Sequence, residues 1–150
     1  DVTPADLTFR PVSVDRLVLV APADHPLATG KQRIAALADV PLVTREAGRA
    51  DRIAIDALLR DAKVEPRRRM VVASLEGVKQ AVIAGLGVAL VPAFAAAGDL
   101  SRGTLAAVAI DVMLPRVEWG VITAPAASDA SPTVDQLLRA LKEAALVRPA

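Results

Sequence analysis

A polar loop with the residue types of a ligand site lies at Gly48–Arg52. It follows the short apolar segment Pro41–Thr44, which is typical of a buried strand, and it opens a segment with helical spacing of apolar residues. In open α/β sheets, ligands bind at the carboxyl ends of strands, because backbone N–H groups and the positive end of a helix dipole converge there. Arg49 suits a carboxylate or phosphate, whereas Asp51 equally suits a helix cap. Capping and surface charge are the simpler interpretation, and both alternatives stay open.

Three other polar residues are candidates with simpler structural explanations. Ser74 directly precedes a predicted helix, where its oxygen would accept a hydrogen bond from a first-turn amide, and a cap beside a ligand site can also present its hydroxyl. Thr44, at the end of its strand, is a similar candidate. His25 lies in an Asp-His-Pro turn and is interpreted as a turn residue, since the sequence shows no partner for it at triad spacing.

Composition excludes several kinds of chemistry. The 150 residues are 53% hydrophobic and contain no cysteine and one histidine, so thiolate catalysis, cysteine zinc sites and paired-histidine metal sites are excluded. Two phenylalanines and one tryptophan are too few for a base-stacking surface, and a formal charge of +1 does not suit binding to a phosphate backbone. The run Arg67–Arg69 is interpreted as a solvated connection, and Asp56 with Arg60 as a helix-surface pair.

Strands and helices alternate through most of the sequence. Short apolar runs predict strands at Arg16–Pro22, Pro41–Thr44, Met70–Ala73 and Val88–Val91. Helices are predicted from about Asp51 to Ala62 and after Ser74, with Gly85 and Gly87 closing the second. This alternation predicts a mostly parallel sheet with helices on its faces.

The C-terminal third has a different pattern. Leu105–Ile110 and Val117–Thr123 are predicted strands, and Ser131–Thr133 is a helix start signal followed by an amphipathic helix. The segment Ala93–Ala97 is merely alanine-rich.

Five segments resemble, in this order, the effector-binding domain of LysR-type transcriptional regulators. They are Leu17–Ala28, Pro41–Gly48, Ser74–Lys79, Ala84–Pro92, and Gly103–Leu105 followed by Ser131–Thr133. The resemblance implies an α/β fold of the type 2 periplasmic-binding-protein-like class, with one complete Rossmann-like subdomain, part of a second, an effector cleft between them and hinge-like crossover strands. It implies a hinge strand and remnant of subdomain I at residues 1–20, subdomain II at 21–91, and a C-terminal part of subdomain I at 92–150.

The resemblance also refines the candidate site. Many members of the family place hydroxyl residues in the loop after the second strand, in a Gly-Ser-x-Thr-Arg-like pattern that binds an anionic effector. Here Arg49 and Asp51 stand in the hydroxyl positions and Arg52 is retained. The candidate effector-binding residues are Thr44, Gly48, Arg49, Ala50, Asp51, Arg52 and Ser74.

The function implied is that of a cytoplasmic, non-enzymatic sensor that needs no cofactor or metal. It would bind an unidentified small-molecule effector and form a homodimer or homotetramer through the helix at Arg52–Ala62 and the strand at Met70–Ala73. DNA would be bound only through a winged helix-turn-helix that precedes Asp1, and no membrane contact is expected. Alternatives are a solute-binding protein of a transport system and, less simply, an enzyme on the same fold.

A stability expectation follows from the same comparison. In the family, the elements after Leu100 pack on a part of subdomain I that would come before Asp1. We therefore expect the C-terminal third to be poorly supported unless another segment or a second chain covers it.

Overall fold

The computed structural model describes residues 7–124 and 132–143. These residues form eight strands, four α-helices and two short 3-10 turns. The strands are β1 (Thr8–Pro22), β2 (Lys31–Gln32), β3 (Pro41–Thr44), β4 (Arg68–Val71), β5 (Ala89–Pro92), β6 (Leu105–Ala107), β7 (Ala109–Ile110) and β8 (Arg116–Thr123). The helices are α1 (Ala50–Asp61), α2 (Leu75–Ile83), α3 (Ala93–Arg102) and α4 (Pro132–Glu143), and the 3-10 turns are Pro26–Ala28 and Ile34–Ala38.

The chain divides into two compact units. The larger comprises residues 16–115, and the smaller comprises residues up to 15 together with those from 116 onward. Strand β1 therefore contributes to both. The expected boundaries after residues 20 and 91 both fall inside the larger unit, because α3 packs on β5 and β6 pairs with β1.

Strand direction in the larger unit differs in part from the expectation. Strands β3 and β4 are parallel, and Leu42 forms a parallel bridge with Val88, just before β5. The expectation of a mostly parallel sheet is wrong for β1, which runs antiparallel to both β5 and β6. A short apolar run buried on both faces has the same composition in either direction, so its pattern does not specify direction.

Small aliphatic side chains form the core of the larger unit. Alanine and valine let the helices approach the strands closely, and Gly87 does the same for the backbone. A Cβ on Gly87 would collide with the carbonyl oxygen of Pro41, which accepts a hydrogen bond from Val88 N at 3.0 Å beside the bridge between Leu42 and Val88. The buried cluster consists of Val20, Val43, Val78, Val82, Ala89, Val91, Ala96 and Leu105.

Helix α3 is absent from the sequence-based prediction. Composition alone indicates only an alanine-rich segment at its start, but Ala96 and Asp99 of the helix are buried. Gly103 ends the helix in the left-handed conformation, with a φ of 69°. The glycine after a run of good helix formers was the available signal.

The expectation that everything after Leu100 lacks support is wrong as far as Val108. Strand β6 pairs with β1, and Leu105 and Val108 are buried. In the smaller unit, β8 pairs with β1, and Arg10 forms an ion pair with Asp135 of α4 at 3.0 Å. The start signal predicted at Ser131 lies outside the described residues, and the described helix begins at Pro132.

Candidate functional site

The carboxyl ends of β3 and β4 bring the predicted site residues to one edge. The two strands are parallel and in register, with Thr44 opposite Val71, and Val72 N donates to Thr44 O at 2.9 Å. The chain leaves β3 towards the start of α1 and leaves β4 towards the start of α2. The starts of both helices therefore follow the same edge of the strand pair, as the sequence predicts.

Thr44 and Arg52 are tied together at this edge. Thr44 is buried, and its Oγ1 accepts a hydrogen bond from Arg52 Nη1 at 2.9 Å. The same nitrogen donates to the carbonyl oxygen of Arg45 at 2.8 Å, and Nε of Arg52 pairs with Asp56 at 2.7 Å. Arg52 thus fixes the strand end to the first two turns of α1.

Asp51 is not the N-cap that the capping alternative suggested. The N-cap of α1 is Arg49, which makes no side-chain capping bond, and Asp51 is the second residue of the helix. Its carboxylate is buried, accepts Arg52 N at 3.0 Å and pairs with Arg45 Nη1 at 3.3 Å. A carboxylate in the first turn is favourable because of the positive end of the helix dipole.

Arg45 is the residue that the sequence reasoning missed. Its side chain is 18% exposed and lies between the end of β3 and the first turn of α1, next to Asp51. Within residues 7–124 and 132–143, its Nε is buried and has no hydrogen-bond acceptor. An arginine directly after a buried strand that ends at a candidate ligand loop was the signal that could have identified it.

The middle of the loop is exposed. Gly48 has a φ of 85°, a conformation that favours glycine, and it allows the chain to turn into α1. Arg49 and Ala50 are also exposed. The structure therefore brings Thr44, Asp51 and Arg52 into one bonded group, and leaves Gly48, Arg49 and Ala50 at the surface beside it.

Ser74 caps α2, as expected. Its Oγ accepts a hydrogen bond from Gly77 N at 3.0 Å. His25 is a turn residue, as interpreted, since its Nδ1 accepts the backbone N–H of Leu27 at 3.2 Å.

Asp56 corrects two expectations. It pairs with Arg52 and Arg69, not with Arg60. Because Arg68 and Arg69 belong to β4, the arginine run is partly a strand and not only a connection. Partial burial raises the pKa of Asp56, but hydrogen bonds from Arg69 and Arg52 outweigh it and leave that pKa below its usual value. We call Thr44, Arg45, Asp51, Arg52 and Asp56 the β3-edge cluster.

A second group of charges lies in the same unit. Asp99 of α3 is buried and accepts hydrogen bonds from Lys79 of α2 at 2.7 Å and from Arg102 at 2.8 Å. Thr104 donates to its backbone and side-chain oxygens, and Glu76 pairs with Lys79 at 2.8 Å. We call these five residues the Asp99 cluster. The hydrogen bond from Lys79 is the main reason that the pKa of Asp99 is lowered.

The described part of the chain lacks two other features, a metal site and a membrane-spanning helix. It contains no group of three or more acidic or histidine side chains arranged to hold a metal ion. It also contains no helix that is both long and apolar enough to cross a membrane.

Comparisons with a family model and with known proteins agree on one kind of relative. A model of the family described as LysR substrate binding domain matches residues 1–146. The HTH-type transcriptional activator CmpR of Synechocystis sp. is 28% identical over 118 residues, which cover 78% of this chain and 39% of CmpR. The HTH-type transcriptional regulator CbbR of Xanthobacter flavus is 33% identical over 110 residues, covering 71% of this chain and 33% of CbbR. The chain thus spans well under half the length of these relatives.

A solved structure supports the same assignment. The regulatory domain of CcmR from Synechocystis PCC6803, in complex with 2-PG, superposes with a TM-score of 0.79 and 28% identity, covering 99% of this chain and 72% of that domain. The fold is therefore the type 2 periplasmic-binding-protein-like α/β fold that the resemblance implied. With a family match along nearly all of its length, the chain belongs to the LysR substrate-binding domain family.

Proposed function

We propose that the chain is the effector-sensing part of a LysR-type transcriptional regulator, and that it acts as a sensor rather than a catalyst. Its family and the names of its relatives support this function. The CcmR regulatory domain was solved with the small molecule 2-PG, so a small effector is the corresponding ligand class here. An effector would act by binding one conformation of the regulator more tightly than another, and so would shift the population between them.

The proposed effector site is the edge formed by the carboxyl ends of β3 and β4. Its candidate residues remain Thr44, Ser74 and the loop Gly48–Arg52. Within this proposal, the larger unit, including residues 92–115, is the effector-binding lobe, and the smaller unit is part of the other subdomain.

The observation that carries this site is the direction of the hydrogen bond at Thr44. A guanidinium group only donates, so Thr44 Oγ1 is the acceptor of the bond from Arg52. That bond does not use the hydroxyl hydrogen of Thr44, which we propose is donated to a ligand oxygen. The same holds for Ser74, whose Oγ accepts from Gly77 N. Both hydroxyls belong to residues that follow or end a strand at this edge.

The remaining partners are proposed on the basis of the family. We propose a cytoplasmic homodimer or homotetramer that contacts DNA through the full-length regulator outside this chain. The expected contact surface, α1 with β4, carries exposed apolar side chains: Ile53 and Val71 are each more than half exposed. A gel shift by these 150 residues at physiological salt would contradict the DNA assignment.

Ligand-dependent stabilisation tests the effector site. We expect 2-PG, or another compound from a panel of small carboxylates, phosphates, amines and aromatic acids, to raise the melting temperature. A ligand at 100 times its Kd stabilises the folded state by about 2.7 kcal/mol. Thr44→Val, which removes the hydroxyl at nearly constant volume, should weaken binding.

Thr104→Val is the matched control, because Thr104 is also a hydrogen-bonded threonine of the larger unit but belongs to the Asp99 cluster. Equal weakening by both variants, or no stabilisation by any compound of the panel, would contradict the proposed site.

A further inference from the structure

Resting on the proposed function, we propose that Arg45 selects an oxyanionic group of the effector, and that the carboxylate of Asp51 occupies Arg45 until that group binds. Without ligand, the Asp51 carboxylate of the β3-edge cluster would then pair with Arg45 in the position that the ligand's acidic group takes on binding. The ligand class is a carboxylate or a phosphate, since both present paired oxygens to a guanidinium group.

The first argument is the incomplete bonding of Arg45. Its side chain is largely buried, yet among residues 7–124 and 132–143 its Nε meets no acceptor, and its ion pair uses Nη1. Buried polar groups of proteins are almost always hydrogen-bonded, so an exception calls for a physical reason such as a binding role. Because Nε is buried, a ligand oxyanion would supply the acceptor that it lacks only as the Arg45 side chain shifts away from Asp51.

The second argument is the geometry of the pair that holds Arg45. The Arg45–Asp51 distance of 3.3 Å is longer than that of six other ion pairs, which are 3.0 Å or shorter. Charge-assisted hydrogen bonds between N and O are typically about 2.7–2.9 Å. Of these pairs, that between Arg45 and Asp51 is therefore the one that a ligand can most readily replace.

The third argument is that the neighbouring arginines are unsuited to this role. Arg52 donates to Thr44, to the Arg45 carbonyl and to Asp56, so it positions the edge and is committed to the protein. Arg49 is exposed and makes no capping bond, so solvent screens its charge. Arg45 combines burial with a donor, Nε, that has no acceptor among the described residues.

The exchange also gives Asp51 a defined role. When an oxyanion binds Arg45, the Asp51 carboxylate keeps its hydrogen bond from Arg52 N and its favourable position in the first turn of α1. The buried acid therefore retains a partner after the exchange. The net effect is that the site accepts anions and disfavours neutral or cationic analogues.

The test is calorimetric titration of the 150-residue chain with inorganic phosphate and, separately, with malonate, at constant ionic strength maintained with chloride. Arg45→Gln should lower the affinity at least about tenfold, as expected for loss of a charge-assisted bond. Asp51→Asn should raise the affinity, because it removes the internal competitor. Arg60→Gln removes a charge equal to that of Arg45 from an exposed position of α1, and it should leave the affinity unchanged.

A double variant distinguishes a loss of anion binding from a loss of folding. Arg45→Gln combined with Asp51→Asn leaves no unpaired buried charge, so it should melt cooperatively and still bind the anions weakly. Wild-type affinity in this double variant, or loss of affinity in Arg49→Gln but not in Arg45→Gln, would overturn the assignment of Arg45. If Thr44→Val weakens binding and Arg45→Gln does not, the proposed site stands and only this inference is wrong. If the wild-type chain binds neither these anions nor any compound of the panel, the proposed site itself is wrong.

Discussion

The β3-edge cluster and the Asp99 cluster consist of similar residues but differ in how completely those residues are hydrogen-bonded. In the Asp99 cluster, both carboxylate oxygens of Asp99 accept short bonds from cations, and Thr104 completes the group. In the β3-edge cluster, Nε of the largely buried Arg45 has no acceptor among the described residues, and the ion pair that Arg45 forms through Nη1 is long. A fully bonded network stabilises the fold, whereas an incompletely bonded one is available to a ligand.

Strand register places the two clusters towards opposite ends of the strands. Leu17 of β1 pairs with Pro92 at the carboxyl end of β5, and the antiparallel register then brings the end of β1 towards the start of β5. Leu105, just after Thr104, pairs with Pro22 at that end. Thr104 is therefore near the amino end of β5, whereas Thr44 ends β3, which is parallel to β5 through the Leu42–Val88 bridge. One cluster can change without directly disturbing the other.

The largest expected effect is that of Lys79→Met. It leaves the buried Asp99 carboxylate with Arg102 as its remaining cation, and the Arg102 side chain is 66% exposed. Removing one partner of a buried ion pair costs about 3 kcal/mol or more. Urea unfolding should show a loss of that size.

Arg102→Met is the matched control for Lys79→Met. An exposed partner contributes about 1 kcal/mol or less, so this variant should change the free energy of unfolding little. Equal losses for the two variants would show that Asp99 is not held mainly by Lys79.

Arg52→Gln is expected to have the next largest effect, about 2 kcal/mol, from the loss of its bonds to Thr44, the Arg45 carbonyl and Asp56. It should also weaken effector binding, because the Thr44 hydroxyl loses the donor that orients it. Urea unfolding and titration of the same variant measure both. A stability loss with unchanged binding would separate Arg52 from the site.

Sequence patterns predict the limits of a strand or helix well where clear start and stop signals stand at its ends. β3 was predicted with its observed limits, because Pro41 starts it and a polar loop follows it. Helix α1 was predicted within one residue at each end. The direction of β1 was not predictable, since it depends on pairing with β5 and β6, which are more than 60 residues away in sequence.

The site was predictable as a place but not as a set of bonds. Strand-loop-helix order identified the edge at Thr44 and Gly48–Arg52, and capping chemistry identified Ser74. The pairing of Arg45 with Asp51, and of Arg69 with Asp56, depends on side-chain directions at the ends of β3 and β4. Helical spacing suggests Arg60 for Asp56 and fits the observed partner Arg52 equally well, but it cannot identify Arg69, which lies on another element.

A smaller effect is expected for the Arg45→Gln, Asp51→Asn double variant without ligand. It replaces both members of a long, partly buried pair, and such replacements are often close to neutral because the desolvation cost disappears together with the attraction. Urea unfolding should differ from the wild type by about 1 kcal/mol or less. A loss as large as that of Lys79→Met would mean that the two clusters have the same structural role.

The smallest expected effect is a difference in acid sensitivity between Asp99→Asn and Asp56→Asn. The hydrogen bond from Lys79, opposed by burial and supported by the hydrogen bond from Arg102, lowers the pKa of Asp99. For Asp56, burial raises the pKa, but hydrogen bonds from Arg69 and Arg52 outweigh it and lower the pKa. A lowered folded-state pKa gives stability that is complete above the ordinary value of 3.8 and is lost as pH falls below it. The stability advantage of the wild type over each variant should therefore be constant near neutral pH and shrink below about pH 4.

The shrinkage should be larger for Asp99, whose side chain is 6% exposed, than for Asp56, which is 39% exposed and screened by solvent. Added salt should reduce the Asp56 effect further and affect Asp99 less. Urea unfolding of the wild type and both variants, at a series of pH values and two salt concentrations, measures both dependences. Equal sensitivity of the two acids to pH and salt would mean that burial does not distinguish the clusters, and the division into a stabilising network and a binding network would then rest on Arg45 alone.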